Sequence, residues 1–375
     1  MLSIHWFLPT GGDARDVAPT GPDAVRRAPS LPYLTQVAQA AEQLGFDALL
    51  TPCGTACEDA WLATAALLPV TRRVRFLVAF RPGLLSPTLA AQMASTYQRL
   101  SGGRLLLNLV TGAEPAELAR YGDHADKDTR YARTGEFIEV MRRAWSGEPA
   151  DFDGEHYRVE GATTRGVPEP VPPIYFGGAS PAAEEVAAAG VDVYLAWGEP
   201  PAMVAERLDR MREKAAAHGR TLRFGIRFHV ITRPTANEAW AVAASLLAGM
   251  DADEVAAARQ DFAATQSEGQ RRMAALSEGR DPTDPRSFEL HPNVWAGVGL
   301  VRGGAGTALV GSHDEVADRI AEYADLGFED FILSGYPHLE EAYWCGEGVL
   351  PRLRERNLIA PLVDDAAGTV LSTFR

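Results

Sequence analysis

Short apolar runs alternate with longer amphipathic stretches along this chain, and that rhythm restricts the fold more than any other feature. Leu2–Leu8, Phe46–Leu50, Val74–Phe80 and Arg104–Val110 read as strands one to four. Ile174–Phe176, Val191–Ala196, Leu222–Ile231 and Phe331–Ser334 read as strands five to eight. Helical patterns separate them: from Ser30 or Thr35 to Leu44, stopped by Gly45, then Asp59–Leu68, Thr88–Leu100, Arg130–Trp145, from Pro181, and Pro201–His218. An Asp153-Gly154 turn between Phe152 and Tyr157–Val159 predicts a small hairpin outside this pattern. Eight strands alternating with helices predict an α/β fold, a parallel TIM-type (β/α)8 barrel in one domain over residues 1–375. The runner-up, an open doubly wound sheet, loses ground because no GxGxxG follows strand one.

Two insertions interrupt the rhythm, after strand four (Gly112–Thr129) and after strand seven (Thr232 to about Glu329). The second opens on the capping box Thr235-Ala-Asn-Glu238, and its Gln270–Pro285 stretch reads as polar and mobile. Long insertions on the C-terminal side of a barrel form lids or site walls. A net charge of −14 repels a phosphate backbone, which argues against nucleic acid. No apolar run is long enough to span a bilayer, no signal-peptide pattern opens the chain, and three cysteines do not make a disulfide framework, so the reading is cytoplasmic.

The unusual residues fall at predicted strand ends, where barrel enzymes build their sites. On strand seven, Phe224, Ile226, Phe228 and Val230 share one face, while Arg227 and His229 share the other, pointing into the barrel. A cation there needs an anion: either a ligand or a core carboxylate. Tyr336 and His338, two apart after strand eight, point the same way in an extended segment and are able to hydrogen-bond or move protons. Gly178 and Ser180 precede a helix N-terminus, which suits phosphate but equally a plain helix cap. Asn108 offers an amide either to a heterocycle edge or to nearby backbone, and Trp197 offers a flat wall or ordinary packing. The Gly-rich run Val298–Gly311 carries Arg302, as a lid or a linker. Cys53 and Cys57 lack partners for a metal site, and none of the histidines falls in an HxH or HExxH pattern.

Several segments resemble the alkanesulfonate monooxygenase branch of the bacterial luciferase-like superfamily. They include Cys57-Glu-Asp-Ala-Trp61, Asn108-Leu-Val-Thr-Gly112, Gly225-Ile-Arg-Phe-His229, Trp295–Gly304 and Ser334–Ala342, and the likeness runs from about residue 4 to residue 352. The resemblance implies a barrel using reduced FMN from a separate NAD(P)H-dependent reductase, with O2 as co-substrate. It implies cleavage of the carbon–sulfur bond of a sulfonate to an aldehyde and sulfite, a role in sulfur scavenging, and a homotetramer. It assigns Cys57, Arg227, His229, Arg302, Tyr336 and His338 to the reaction site, and Asn108, Tyr131, Gly178, Ser180 and Trp197 to the flavin region. A bidentate guanidinium contact from Arg227 or Arg302 suits a sulfonate.

Gly11 stands where the family has a His, His5 where it has an aromatic, Cys53 where it has Thr, and Asp13–Ala28 is dissimilar. These departures leave open a sister enzyme for methanesulfonate, a dialkyl sulfone or another small organosulfur compound. A deazaflavin-dependent dehydrogenase, a metal-dependent hydrolase and a non-catalytic flavin binder are the other readings to separate.

Overall fold

A central strand needs hydrogen-bonding neighbours on both sides, and parallel strands joined by helices meet that need by closing on themselves. The computed structural model describes residues 1–18 and 26–362, so residues 19–25 of the dissimilar N-terminal stretch lie outside the described residues. The barrel strands are β1 (Ser3–Phe7), β2 (Ala48–Thr51), β3 (Arg75–Phe80), β4 (Leu105–Leu109), β5 (Ile174–Gly177), β6 (Val193–Trp197), β7 (Arg223–Arg233) and β8 (Asp330–Ser334). Each pairs in parallel with the next, and β8 pairs with β1, which closes the ring. The eight-stranded barrel expected from the alternation is therefore the fold, and the strand boundaries fall within two residues of those read from the sequence.

Alternation along each strand separates two cores. In β3, Phe76, Val78 and Phe80 face the helices, while Leu77 faces the barrel axis with Leu50, Leu106, Tyr175 and Ile332. Each large side chain so buried contributes about 1.5–3 kcal/mol. The surrounding helices start on side-chain caps: Ser30, Asp59, Ser86 and Ser180 each accept a hydrogen bond from a first-turn N–H, worth about 1 kcal/mol apiece. Gly45 ends the first helix at φ 87°, a left-handed geometry that suits glycine.

The strand-seven insertion departs most from expectation. β7 is eleven residues long and continues past the barrel rim, where His229–Arg233 pairs in parallel with Ala308–Ser312. The latter pairs antiparallel with Val294–Trp295. The Arg302 segment is thus the connection between two antiparallel strands of a small extension sheet over the mouth. Its own core includes Ile231, Trp240, Phe288, Trp295 and Tyr336. Part of the stretch read as mobile is the helix Glu268–Leu276, with Gln270 and Met273 buried. Among the described residues, no helix is long and apolar enough to cross a membrane.

Candidate active site at the C-terminal mouth

The strands end around a cavity of about 450 Å³, within the roughly 300–1,000 Å³ common for cofactor and substrate clefts. Arg227, Arg302, Asn108, Tyr131, Gly178, Ser180 and Trp197 all line it, together with Lys127 and Arg130 at the start of the helix Lys127–Ala144.

Arg227 projects inward from β7, stacked over the Phe7 ring at 4.6 Å. One terminal nitrogen reaches the Ser334 hydroxyl at 3.4 Å, and the other is buried with no partner. No carboxylate pairs with it among the described residues, so the core-carboxylate alternative does not apply. Burial, then the charge of Arg302, pulls its guanidinium down to about 9. It stays protonated at neutral pH, a half-buried cation with one terminal nitrogen fully enclosed, and that is costly without an anion.

Arg302 lies 5.8 Å from the Tyr336 ring and also lacks an ion-pair partner among the described residues. Its loop is tied rather than loose. Gly304 N–H donates to the Gln270 side chain at 2.7 Å, Gly299 N–H to the Gly306 carbonyl at 2.8 Å, and Thr307 Oγ1 to the Gly198 carbonyl at 2.5 Å. A Cβ on Gly306 would sit 2.7 Å from the Gly299 backbone, so these two glycines permit the close approach. The solvated-linker reading is overturned by these bonds.

His229 has both ring nitrogens engaged. Nε2 faces the Ala305 carbonyl at 3.0 Å and must donate to it. Nδ1, at 2.9 Å, then accepts from the Ser334 hydroxyl. Burial, followed by the charges of Arg227 and Arg302, holds the ring well below the usual histidine range, hence neutral. Through these two bonds His229 ties the Ala305 end of the Arg302 loop to the barrel. Tyr336 stacks on it at 5.3 Å, with a buried hydroxyl that has no partner.

Tyr336 and His338 do not share an extended strand. β8 ends at Ser334, and His338 opens the helix His338–Glu355. The rings nevertheless meet edge to face at 5.3 Å. His338 Nε2 is buried and has no partner. Arg227 Nη1, the Tyr336 hydroxyl and His338 Nε2 are therefore three unsatisfied buried polar atoms in one cluster, a grouping that calls for a ligand or water.

At the other side of the cavity, Ser180 is buried and accepts from Ala183 N–H at 3.3 Å, as in a plain helix cap, leaving its hydroxyl proton free to donate. Gly178 has φ 157°, and a Cβ there would meet Ala183 at 2.5 Å and the Tyr131 hydroxyl at 3.5 Å. The Asn108 amide has no protein partner among the described residues, so the backbone-bonded alternative does not hold. Trp197 lines the cavity, but the Gly269 backbone rests against its ring: a Cβ on Gly269 would lie 3.0 Å from it. Cys57 does not line the cavity. It stands beside Gly11, and burial raises its thiol, so it is uncharged. Cys53 lines the wall instead.

Residues 2–330 match the family described as luciferase-like monooxygenase. The chain belongs to that family. Among solved structures it is similar to a riboflavin lyase determined with modified FMN and riboflavin: 21% identity over 96% of this chain and 93% of that one, TM-score 0.79. It is also similar to the EDTA monooxygenase of Chelativorans sp. BNC1, at 20% identity over 96% and 95% of the two chains, TM-score 0.73. A long-chain alkane monooxygenase aligns at 19% identity over 96% and 92%, TM-score 0.76. At these identities the likeness is one of fold.

Within this luciferase-like barrel, sequence reasoning missed Asp13, Glu199 and Ser334. Buried Glu199 holds Arg207 and Arg272, each at 2.6 Å, clamping the helix Glu268–Leu276 to the end of β6. Its place in Trp197-Gly-Glu199 was the available signal. Arg130 at 3.0 Å from Gln266, and Thr265 at 2.7 Å from Glu114, join the two insertions over the mouth. Such pairings leave no trace in periodicity.

Proposed function

We propose that this chain is a two-component, reduced-FMN-dependent monooxygenase that cleaves the carbon–sulfur bond of a small alkanesulfonate, releasing an aldehyde and sulfite. The observation that carries this reading is a charge imbalance. In a chain of net charge −14, Arg227, Arg302, Arg130 and Lys127 line one cavity, and none has a carboxylate partner among the described residues. They form two groups: Arg227 with Arg302 on the strand-seven side, Arg130 with Lys127 on the helix Lys127–Ala144. Two sets of unpaired cations suit two anions, a cofactor phosphate and a substrate sulfonate.

The cofactor side fits a flavin mononucleotide. The helix start at Ser180, the open cradle at Gly178, and Tyr131, Lys127 and Arg130 would take its phosphate. The unpartnered Asn108 amide would take a heterocycle edge. Reduced flavin, when bound, supplies the electrons that activate O2. A separate NAD(P)H-dependent reductase would deliver it.

Protein groups do the rest. Arg227 and Arg302 hold the sulfonate oxygens by charge-assisted hydrogen bonds. The braced Arg302 loop excludes water. Tyr336 has a hydroxyl proton to donate. Two guanidiniums lining the cavity without a carboxylate partner favour an anion over a neutral dialkyl sulfone.

The test is sulfite release with reduced FMN, O2 and a chain-length series of sulfonates, beside a dialkyl sulfone. Sulfite formed from at least one sulfonate, with matching O2 uptake, supports the reading. No sulfite from any of them removes it.

A further inference from the structure

The dissimilar N-terminal segment carries a feature that the oxygenation chemistry of the mouth does not by itself require. Asp13 lies in a two-residue strand, Asp13–Ala14, paired antiparallel with Arg26–Arg27. Asp13 is 5% exposed, and its carboxylate accepts four hydrogen bonds. Oδ1 takes Ala14 N–H at 2.8 Å and His338 Nδ1 at 2.7 Å. Oδ2 takes His338 N–H at 2.9 Å and the Tyr33 hydroxyl. Arg27 bonds both Tyr33 and Glu340, at 2.7 Å to one Glu340 oxygen, and clasps this segment to the helix His338–Glu355.

The geometry leaves one arrangement of protons. An ionised carboxylate only accepts, so His338 Nδ1 must carry the hydrogen. The hydrogen bonds from His338 and Tyr33 outweigh burial and keep Asp13 below the usual carboxylate range, that is, ionised. Burial outweighs Asp13 at His338 and keeps the ring below the usual histidine range, that is, neutral. A neutral ring with Nδ1–H has its lone pair on Nε2, the buried atom with no partner. The Phe7 ring packs against it at 5.2 Å, and Trp6 holds the His338 carbonyl at 3.0 Å, so the residue is held in place beside Asp13. The ionisable groups around it are Asp13 with Tyr33, Arg27 and Glu340 behind, and Arg227, Arg302, His229 and Tyr336 on the cavity side.

We infer that Asp13 is a positioning residue that locks His338 in the Nδ1–H form and so leaves Nε2, in the layer behind the cavity wall against Phe7 and Tyr336, as the proton acceptor of the site. In the step this allows, a substrate X–H bond breaks, its electron pair stays on X, and the proton forms N–H at Nε2. The resulting imidazolium is countered by the Asp13 carboxylate. This rests on the proposed monooxygenase reading for what the proton acceptor serves, but the tautomer does not depend on it.

The experiment is 15N NMR of histidine-labelled full-length protein at neutral pH, with His338 assigned by His338→Gln. The expected result is Nδ1 protonated and Nε2 bare. Nε2 protonated, or an imidazolium, overturns the inference, and this measurement needs no Asp13 variant to fold. In Asp13→Asn, an amide cannot accept at both of its ends. The expected outcome is a change of tautomer, a fall in kcat of at least about tenfold, and a smaller change in KM. Because Asp13 raises the proton affinity of His338, the acid limb of kcat should also move to lower pH. A folded Asp13→Asn with unchanged tautomer and unmoved acid limb removes Asp13 from the role. Absence of turnover with reduced FMN in the unaltered protein sinks the monooxygenase reading alone, since the NMR result still decides the tautomer.

Discussion

Arg223 and Arg227 lie four residues apart on one strand, with side chains on the same face, yet their surroundings are opposite. At the closed end of the barrel, Arg223 donates to Asp330 at 2.6 Å, and Asp330 also accepts from Tyr175 at 2.9 Å and meets His5 at 3.2 Å. At the mouth, Arg227 finds only the Ser334 hydroxyl. Asp330 and Ser334 are themselves four apart on β8, in register with β7. The same two strands thus satisfy a cation at one end and leave one unsatisfied at the other. A paired buried charge supports the fold; an unpaired one at a cavity wall marks a candidate site for an anion. The difference is one carboxylate against one hydroxyl.

The largest effect should come from breaking the satisfied end. Asp330→Ala leaves Arg223, His5 and Tyr175 without their shared acceptor and should cost about 3–5 kcal/mol in urea unfolding. The protein that remains folded should keep its turnover. A loss of activity per folded molecule would dissolve the division between the two ends.

Arg227→Met tests the other end. It should lower kcat/KM for a sulfonate about 100-fold, near 2.7 kcal/mol, without lowering Tm, because it removes an uncompensated cation. Equal damage to stability would make Arg227 a second structural arginine. Arg302→Ala should lower sulfite release per O2 consumed by about tenfold; unchanged coupling would detach the loop from water exclusion.

The ends should also separate on a pH axis. The native Asp330 carboxyl is depressed, chiefly by His5 and Arg223 against burial. Its contribution is full above the unfolded value of about 3.9 and is lost as pH falls through the lower native value. Native His229 is depressed as well. Below about pH 6.5 the unfolded chain binds a proton that the native ring refuses, so stability falls there by up to about 1.4 kcal/mol per pH unit. Urea midpoints measured from pH 7 to pH 3 should show both declines, and His229→Gln should reduce only the one nearer neutrality. The smallest effect belongs to Ser334→Ala, about 1 kcal/mol, read as a several-fold drop in kcat/KM with the closed end untouched.

The barrel was legible because burial on a pleated strand writes itself as alternation. Phe224, Ile226, Phe228 and Val230 pack outward as their spacing requires, and Arg227 faces inward for the same reason. Seven of the residues assigned to the site line its cavity: Arg227, Arg302, Asn108, Tyr131, Gly178, Ser180 and Trp197. Cys57, His229, Tyr336 and His338 stand outside that lining. The extension sheet on β7, the helix Glu268–Leu276 and the ties of the Arg302 loop were not legible, since their partners lie far away in sequence.

The amino-acid sequence alone determined the closed barrel and the end at which its unusual residues gather, because local periodicity and strand-end position are short-range properties. Tertiary structure alone decided which of those residues are paired. Asp13 reaches His338 across 325 positions, and Asp330 reaches Arg223 across 107. Whether a buried charge is satisfied depends on atoms that only folding brings within about 3 Å. The arginine that opened the comparison is recognisable as unpaired only once every neighbour is in place.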